Sequence, residues 1–285
     1  MHILLIAADS PLGITLQSTL ARWGRHKVTT LPQSLSRWKT ERRAKKSIRR
    51  VSPDIIVDLR TPQLMASGEL LQGIDVQRTL WIAKVCRSSG IPYLYLSDPR
   101  VFSGLLSHPY REQEAPDADD AAGRSLIAAE NHVRETCENH LVLRLGPLFA
   151  AFDANLLTQV LASLSSRVSL PVDDLDQLCP VEANDGARII SGVLDQLDAG
   201  ADVTGTFHYN SPDRTTAYGF AEAVLAAASQ FIKVSDDAIV RLEHDPERVA
   251  RNWSLDCREI RDTFAIKQVA WRGFIGSTVK QYLVN

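Results

Sequence analysis

Ser97 and Asp98 follow directly on the apolar run Ile91 to Leu96, and their types suit carbonyl chemistry. A serine hydroxyl at a strand end can donate a hydrogen bond to a carbonyl oxygen. An ionised Asp98 would repel negative charge building on that oxygen, whereas a neutral one would donate to it. Tyr110 is the next phenol along the chain, and Arg124 also lies close by in sequence. A Tyr-x-x-x-Lys pair, which would couple a proton donor to a cation one helical turn away, is absent here. Tyr93 and Tyr95 are followed four residues later by Ser97 and Pro99. His108, His132 and His140 have no metal-like spacing with Cys or Glu, and no zinc, P-loop or nucleophile-elbow pattern occurs.

The elements that must position these groups are legible as alternation. Ile3 to Ala7 is a short apolar run suited to a buried parallel strand. Ser10 is placed to cap the next helix and Pro11 suits its first turn. Leu12, Leu16, Leu20 and Trp23 then recur at helical spacing. His26 to Leu31, Ile55 to Leu59, Ile91 to Leu96 and Leu141 to Leu145 read as further strands. Helices are expected at Val76 to Cys86 and Ser125 to Cys137. This rhythm predicts a doubly wound Rossmann-like parallel sheet, an α/β fold with ligands at the carboxyl ends of strands. After Gly146 it loosens. Helices are expected at Asn155 to Leu164, Asp185 to Leu197 and Thr216 to Gln230, a strand at Gly205 to Tyr209, and a turn-rich acidic stretch at Pro171 to Pro180. Ile266 to Leu283 has little clean periodicity, and His108 to Ala121 reads as a surface loop. The division expected is a core over 1–165 and a mixed segment over 166–285, which supplies late core elements and a small C-terminal lobe.

Composition excludes several classes. The 285 residues carry 45% hydrophobic and 23% charged side chains with net charge -2, ordinary for a globule and without a bulk electrostatic bias. Cys86, Cys137, Cys179 and Cys257 are widely spaced, which suggests a reducing, cytoplasmic setting. The first apolar run is too short for a bilayer and lacks a basic lead. Charge is nevertheless local. Arg37 to Arg50 holds eight cations against Glu41, with Trp38, Ala44 and Ile48 available as a thin apolar side. Asp173 to Asp185 is acidic.

Several segments together resemble the dTDP-4-dehydrorhamnose reductase family of extended short-chain dehydrogenase/reductases. Ser97-Asp98-Pro99-Arg100-Val101-Phe102-Ser103-Gly104 is similar to its Ser-Thr-Asp-Tyr-Val-Phe-Asp-Gly, and Pro109 to Glu112 to its Pro-Tyr-x-Glu. Leu143 to Gly146 resembles its arginine-bearing strand, and Gly205 to His208 its Gly-x-Tyr-His. Ala122-Gly123-Arg124-Ser125-Leu126-Ile127-Ala128-Ala129-Glu130 resembles its Tyr-Gly-x-Ser-Lys-x-x-Gly-Glu. The resemblance implies a proton-donating tyrosine where Ala122 stands and a ribose-holding lysine where Leu126 stands. It implies glycines at Ala7, Ser10 and Gly13, of which only Gly13 remains, and a threonine at Asp98.

From these replacements the sequence predicts a non-catalytic relative, an interaction or regulatory subunit with no cofactor bound or only weak NAD(P) binding. Its degenerate positions are Ala7, Ser10, Asp98, Ala122 and Leu126, its residual candidates Ser97 and Tyr110. The expected partner is a protein, with a homodimer also considered, no membrane, and nucleic acid a lesser expectation through Arg37 to Arg50. The alternative is an atypical NAD(P)-dependent oxidoreductase, or a sugar-nucleotide-binding sensor, with relocated site residues.

Overall fold

The computed structural model describes residues 1–66, 68–166, 168–235 and 237–284. Apolar residues at positions 3–6 are 0–1% exposed along β1 (His2–Ile6), because helices cover both faces of the sheet it enters. Each such side chain contributes roughly 1.5–3 kcal/mol on burial. Ser10 caps α1 (Pro11–Trp23), its Oγ accepting from the Gly13 N–H at 3.0 Å, and Gly24 ends the helix in the left-handed region. The buried stripe of α1 runs from Leu12 to Leu20; Trp23 is 62% exposed.

The chain then alternates through β2 (Lys27–Leu31), α2 (Gln33–Ser36), α3 (Glu41–Val51), β3 (Ile55–Asp58), α4 (Arg60–Ala66), α5 (Gly73–Ser89), β4 (Tyr93–Ser97), α6 (Ala121–Thr136) and β5 (His140–Leu145). All pairings in the main sheet are parallel, in the order β10-β5-β4-β3-β1-β2, with β10 (Gly205–Tyr209) on the β5 edge. Helices α3 and α5 pack against one another, as do α1 and α8 (Ala183–Asp198).

Between β5 and β10 the chain forms β6 (Leu148–Phe149), α7 (Leu156–Ser166), β7 (Leu170–Val172), β8 (Gln177–Leu178) and β9 (Val181–Glu182). After β10 come β11 (Thr215–Thr216), α9 (Ala217–Ala228), β12 (Ile239–Arg241), α10 (Arg258–Phe264) and α11 (Arg272–Val284). These strands pair in twos, β11 with β8, β12 with β7 and β6 with β9. A second apolar cluster, centred on Phe149, Phe220 and Trp271, joins α7, α9 and α11. Helix α11 was hidden from periodicity because Gly273, Gly276 and polar residues interrupt its apolar face. Among the described residues no helix is long and apolar enough to cross a membrane.

Candidate active-site cleft

A cleft of about 340 Å³ opens where β4 and β5 end. Ser97, Asp98 and Arg100 line one side, and Asn155, Gln159 and Trp253 the other. The Asp-Pro-Arg sequence folds locally for a clear reason. Asp98 caps the single 3-10 turn Pro99–Val101 by accepting from the Arg100 N–H at 2.9 Å, and Pro99 occupies a position where no donor is needed. The Arg100 guanidinium returns to the same carboxylate at 2.8 and 3.0 Å. Asp98 is therefore committed to a bidentate ion pair. Ser97 is 2% exposed, and its Oγ lies beside Glu130 with no partner at hydrogen-bond geometry among the described residues.

Helix α6 carries the two replaced positions. Asp120 caps it, accepting from the Gly123 N–H at 2.7 Å. A Cβ on Gly123 would stand 2.9 Å from the Arg100 carbonyl oxygen, so glycine lets the helix start approach the cleft turn. Ala122 is half-buried. Leu126 is fully buried in the main core and does not line the cleft. Tyr110 is also core rather than site. It is 1% exposed, stacks on Phe102 at 4.1 Å, and accepts from the Leu106 N–H through its hydroxyl. The aromatic stack holds it away from the cleft lining.

Beneath the cleft runs a buried polar seam. The Arg144 guanidinium makes a two-pronged pair with Glu130 at 2.9 and 2.8 Å, and Arg134 pairs with the same carboxylate. Burial alone would raise the Glu130 pKa, but Arg144 and Arg134 outweigh it and hold the carboxyl below its ordinary value. Arg144 also meets His208 Nε2 at 3.0 Å, while His208 Nδ1 faces the Tyr110 carbonyl at 3.1 Å. Burial, reinforced by Arg144, pushes His208 down to about 3. The ring is therefore neutral, with Nε2 accepting and Nδ1 donating. Burial also pushes Glu112 up to about 7, although the amides of Glu112 and His208 bond to it.

The loop after β1 shows what the missing glycines do. Ala7 takes a left-handed φ of 58°, the conformation that favours glycine. Gly13 is required by contact, since a Cβ there would stand 2.6 Å from the Ala8 carbonyl oxygen. The Ser10 cap engages the Gly13 N–H, and Asp9 accepts from the Gln33 N–H at 2.7 Å. Only about 20 Å³ remains between Ser10 and Phe149. A second cleft of about 520 Å³ lies beyond α4, with Arg37, Arg60 and Arg78 in its lining. Arg60 pairs with Asp58 at 2.6 Å inside the core, and its Nη1 has no partner among the described residues.

Sequence reasoning passed over Arg60, Asn155, Gln159 and Trp253. An Asp-x-Arg pair closing the strand at Asp58 was the available signal for the first. The other three come from elements that only the fold brings to β4. The acidic segment Asp173 to Asp185 is engaged within the chain. Asp173 and Asp176 pair with Arg248, Asp174 with Arg241, and Asp185 with Arg188.

A model of the RmlD substrate binding domain matches residues 1–284. A dTDP-4-dehydrorhamnose reductase of Sinorhizobium fredii is 27% identical over 79% of this chain and 79% of its own length. One of Burkholderia thailandensis is 24% identical over 99% of each. The fold is that of a dTDP-4-dehydrorhamnose reductase from Bacillus anthracis solved with NADP, with a TM-score of 0.81, 16% identity and 98% of each chain covered.

These findings correct three expectations. The reading of a non-catalytic interaction or regulatory subunit is overturned by near full-length similarity to proteins named as reductases. The expectation that the chain is not an enzyme falls with it, on the same similarity to reductases. The expectation of no cofactor, or of only weak NAD(P) binding, is countered by the likeness in fold to a reductase solved with NADP. The sequence-level alternative is the better supported reading.

Proposed function

The chain belongs to the RmlD substrate binding domain family, and from that membership we propose that it is an atypical NAD(P)-dependent oxidoreductase acting on a nucleotide-linked sugar, its working groups relocated from α6 to the end of β4. The observation that carries this reading is the cleft at the β4 and β5 ends, lined by Ser97 and Arg100 and faced by Trp253 of the C-terminal segment. Clefts outside the carboxyl ends of strands are where doubly wound sheets bind ligands.

Two buried atoms without partners, Arg60 Nη1 and Ser97 Oγ, support a dinucleotide lying across the strand ends. Arg37 and Arg60 would hold its phosphate-bearing end and Ser97 its reacting end. The nicotinamide supplies hydride when bound. The narrow space between Ser10 and Phe149 must widen for the bridging phosphates. Ser97 donates to the substrate carbonyl oxygen and polarises it. Arg100, fixed by Asp98, presents a cation to the substrate diphosphate. Glu130 gives no proton, because its arginine partners keep it ionised. The proton comes from solvent in the open cleft. Without a positioned general acid, turnover falls by about 10²–10⁴-fold relative to a site that has one. The four cysteines, all buried and unpaired, support a cytoplasmic setting for the same activity.

The test is calorimetric titration with NADPH and NADH, followed by NADPH oxidation with dTDP-4-dehydrorhamnose. Binding of one dinucleotide and slow turnover, reduced about 10²–10³-fold by Ser97→Ala, is the expected result. No binding of either dinucleotide and no turnover would sink the reading.

A further inference from the structure

Helix α3 presents a cationic surface that, apart from Arg37 ahead of it, the oxidoreductase reading does not use. Arg42, Arg43, Lys45, Lys46, Arg49 and Arg50 are all exposed along its 11 residues, and Arg37 and Lys39 are exposed just before it. Lys84 and Arg87 of α5, the helix packed beside it, extend the same basic character. Among the described residues the only ion pair on this surface joins Glu41 to Lys84 at 2.9 Å; Arg49 reaches only the Ser88 hydroxyl. Because the whole chain carries -2, the rest of the molecule is correspondingly acidic.

An ordinary solvated helix intersperses both signs and gains from opposite charges three and four residues apart. Here Arg42 with Lys45 and Lys46, and Arg49 with Lys45 and Lys46, set like charges at those spacings. The helix holds one opposite charge, Glu41, and its ion pair goes to Lys84 of α5. Apolar exposure on α3 is slight, although Leu35, ahead of Arg37, is 63% exposed. Ala44 and Ile48 are 0% and 1% exposed, and Trp38 is buried. An anionic lipid surface attracts cations too, but stable anchoring there calls for a second, apolar signal beside them. A protein partner calls for an apolar or aromatic centre. A nucleic-acid backbone calls for neither, since its binding is driven by neutralising phosphates and releasing counterions. Five of the eight cations from Arg37 to Arg50 are arginines, whose planar forks match phosphate oxygens.

We propose that α3, with Lys39 ahead of it, forms a docking surface for the phosphate backbone of nucleic acid, bound without base readout.

The full chain should be titrated against a labelled mixed-sequence DNA duplex by fluorescence anisotropy across a salt series. Binding at low salt is expected, with a log–log slope of about -0.9 for each phosphate neutralised. Changing Arg42, Lys45, Lys46 and Arg49 together to Glu should weaken it at least about tenfold and flatten that slope. These side chains do not reach the core, so far-UV circular dichroism and dinucleotide binding should not change. No binding at low salt, a salt slope unaltered in the variant, or tighter capture by polyglutamate or by phosphatidylserine vesicles would each overturn the proposal.

Discussion

One helix contains both halves of an instructive contrast. In the first turns of α6, Ala122 is half-buried and Leu126 is sealed in apolar core. One turn later Glu130 is equally buried but ionised, held by Arg144 and Arg134. The same depth of burial is thus solved twice, once by removing polarity and once by pairing it completely. A buried charge is tolerable only when its partners are rigid and complete. That condition is met around Glu130, where the Arg144 fork comes from β5 and His208 of β10 receives its remaining donor. The half of the helix that could carry a proton donor has instead become a packing surface, and working polarity has to stand nearby, on β4.

The largest effect that would test this contrast is loss of the seam. Arg144→Met should cost about 3–5 kcal/mol in urea unfolding, because Glu130 keeps only Arg134 and His208 loses its donor. Leu126→Lys should cost about 3 kcal/mol, combining lost apolar burial with an unpaired buried ammonium. A near-neutral result there would mean that the helix face is open, and would erase the difference between its halves. Ser97→Ala should leave unfolding unchanged while reducing turnover about 10²–10³-fold, the scale of one lost oxyanion donor; an unaltered rate would remove Ser97 from the site. Ser10→Gly should tighten dinucleotide binding about tenfold by freeing the Gly13 N–H and widening the neck. Its cap loss should be only a few tenths of a kcal/mol in stability.

The smallest effect concerns pH. Glu112 is raised to about 7 in the fold against an ordinary 4.5, so the unfolded chain releases that proton first. Its contribution is fully present below about 4.5 and is lost as pH rises to 7. Glu112→Gln should therefore flatten stability across that window, gaining about 1 kcal/mol at the upper end after allowing for solvent screening. His208 acts in the opposite direction. Held down to about 3, it draws stability away as pH falls from its ordinary 6.5 toward that value. Parallel unfolding curves for wild type and Glu112→Gln from pH 4 to 8, read by circular dichroism, would remove Glu112 from this account.

The alternation of apolar runs with helical spacing was enough to define the sheet and its helices, because both faces of a parallel sheet must be covered and every strand records this. The Ser10 cap and the Pro11 start were readable for the same local reason. Helix α4 and the late helix α11 were not, since their apolar contacts are supplied by distant segments rather than by a regular stripe. The site was legible only in part. Residue types at Ala7, Ser10, Ala122 and Leu126 announced what had been replaced, but gave no account of what the cleft still contained.

The amino-acid order alone determined which strands would lie buried, where the first helix would begin and which stretch would be basic, since each depends on neighbours a few residues apart. Tertiary structure alone decided that Tyr110 stacks inside the core, that the acidic segment is neutralised by Arg241 and Arg248, and that Trp253 faces Ser97 and Arg100 across one cleft. Those outcomes depend on distance between residues remote in sequence, and packing of the whole chain sets that distance.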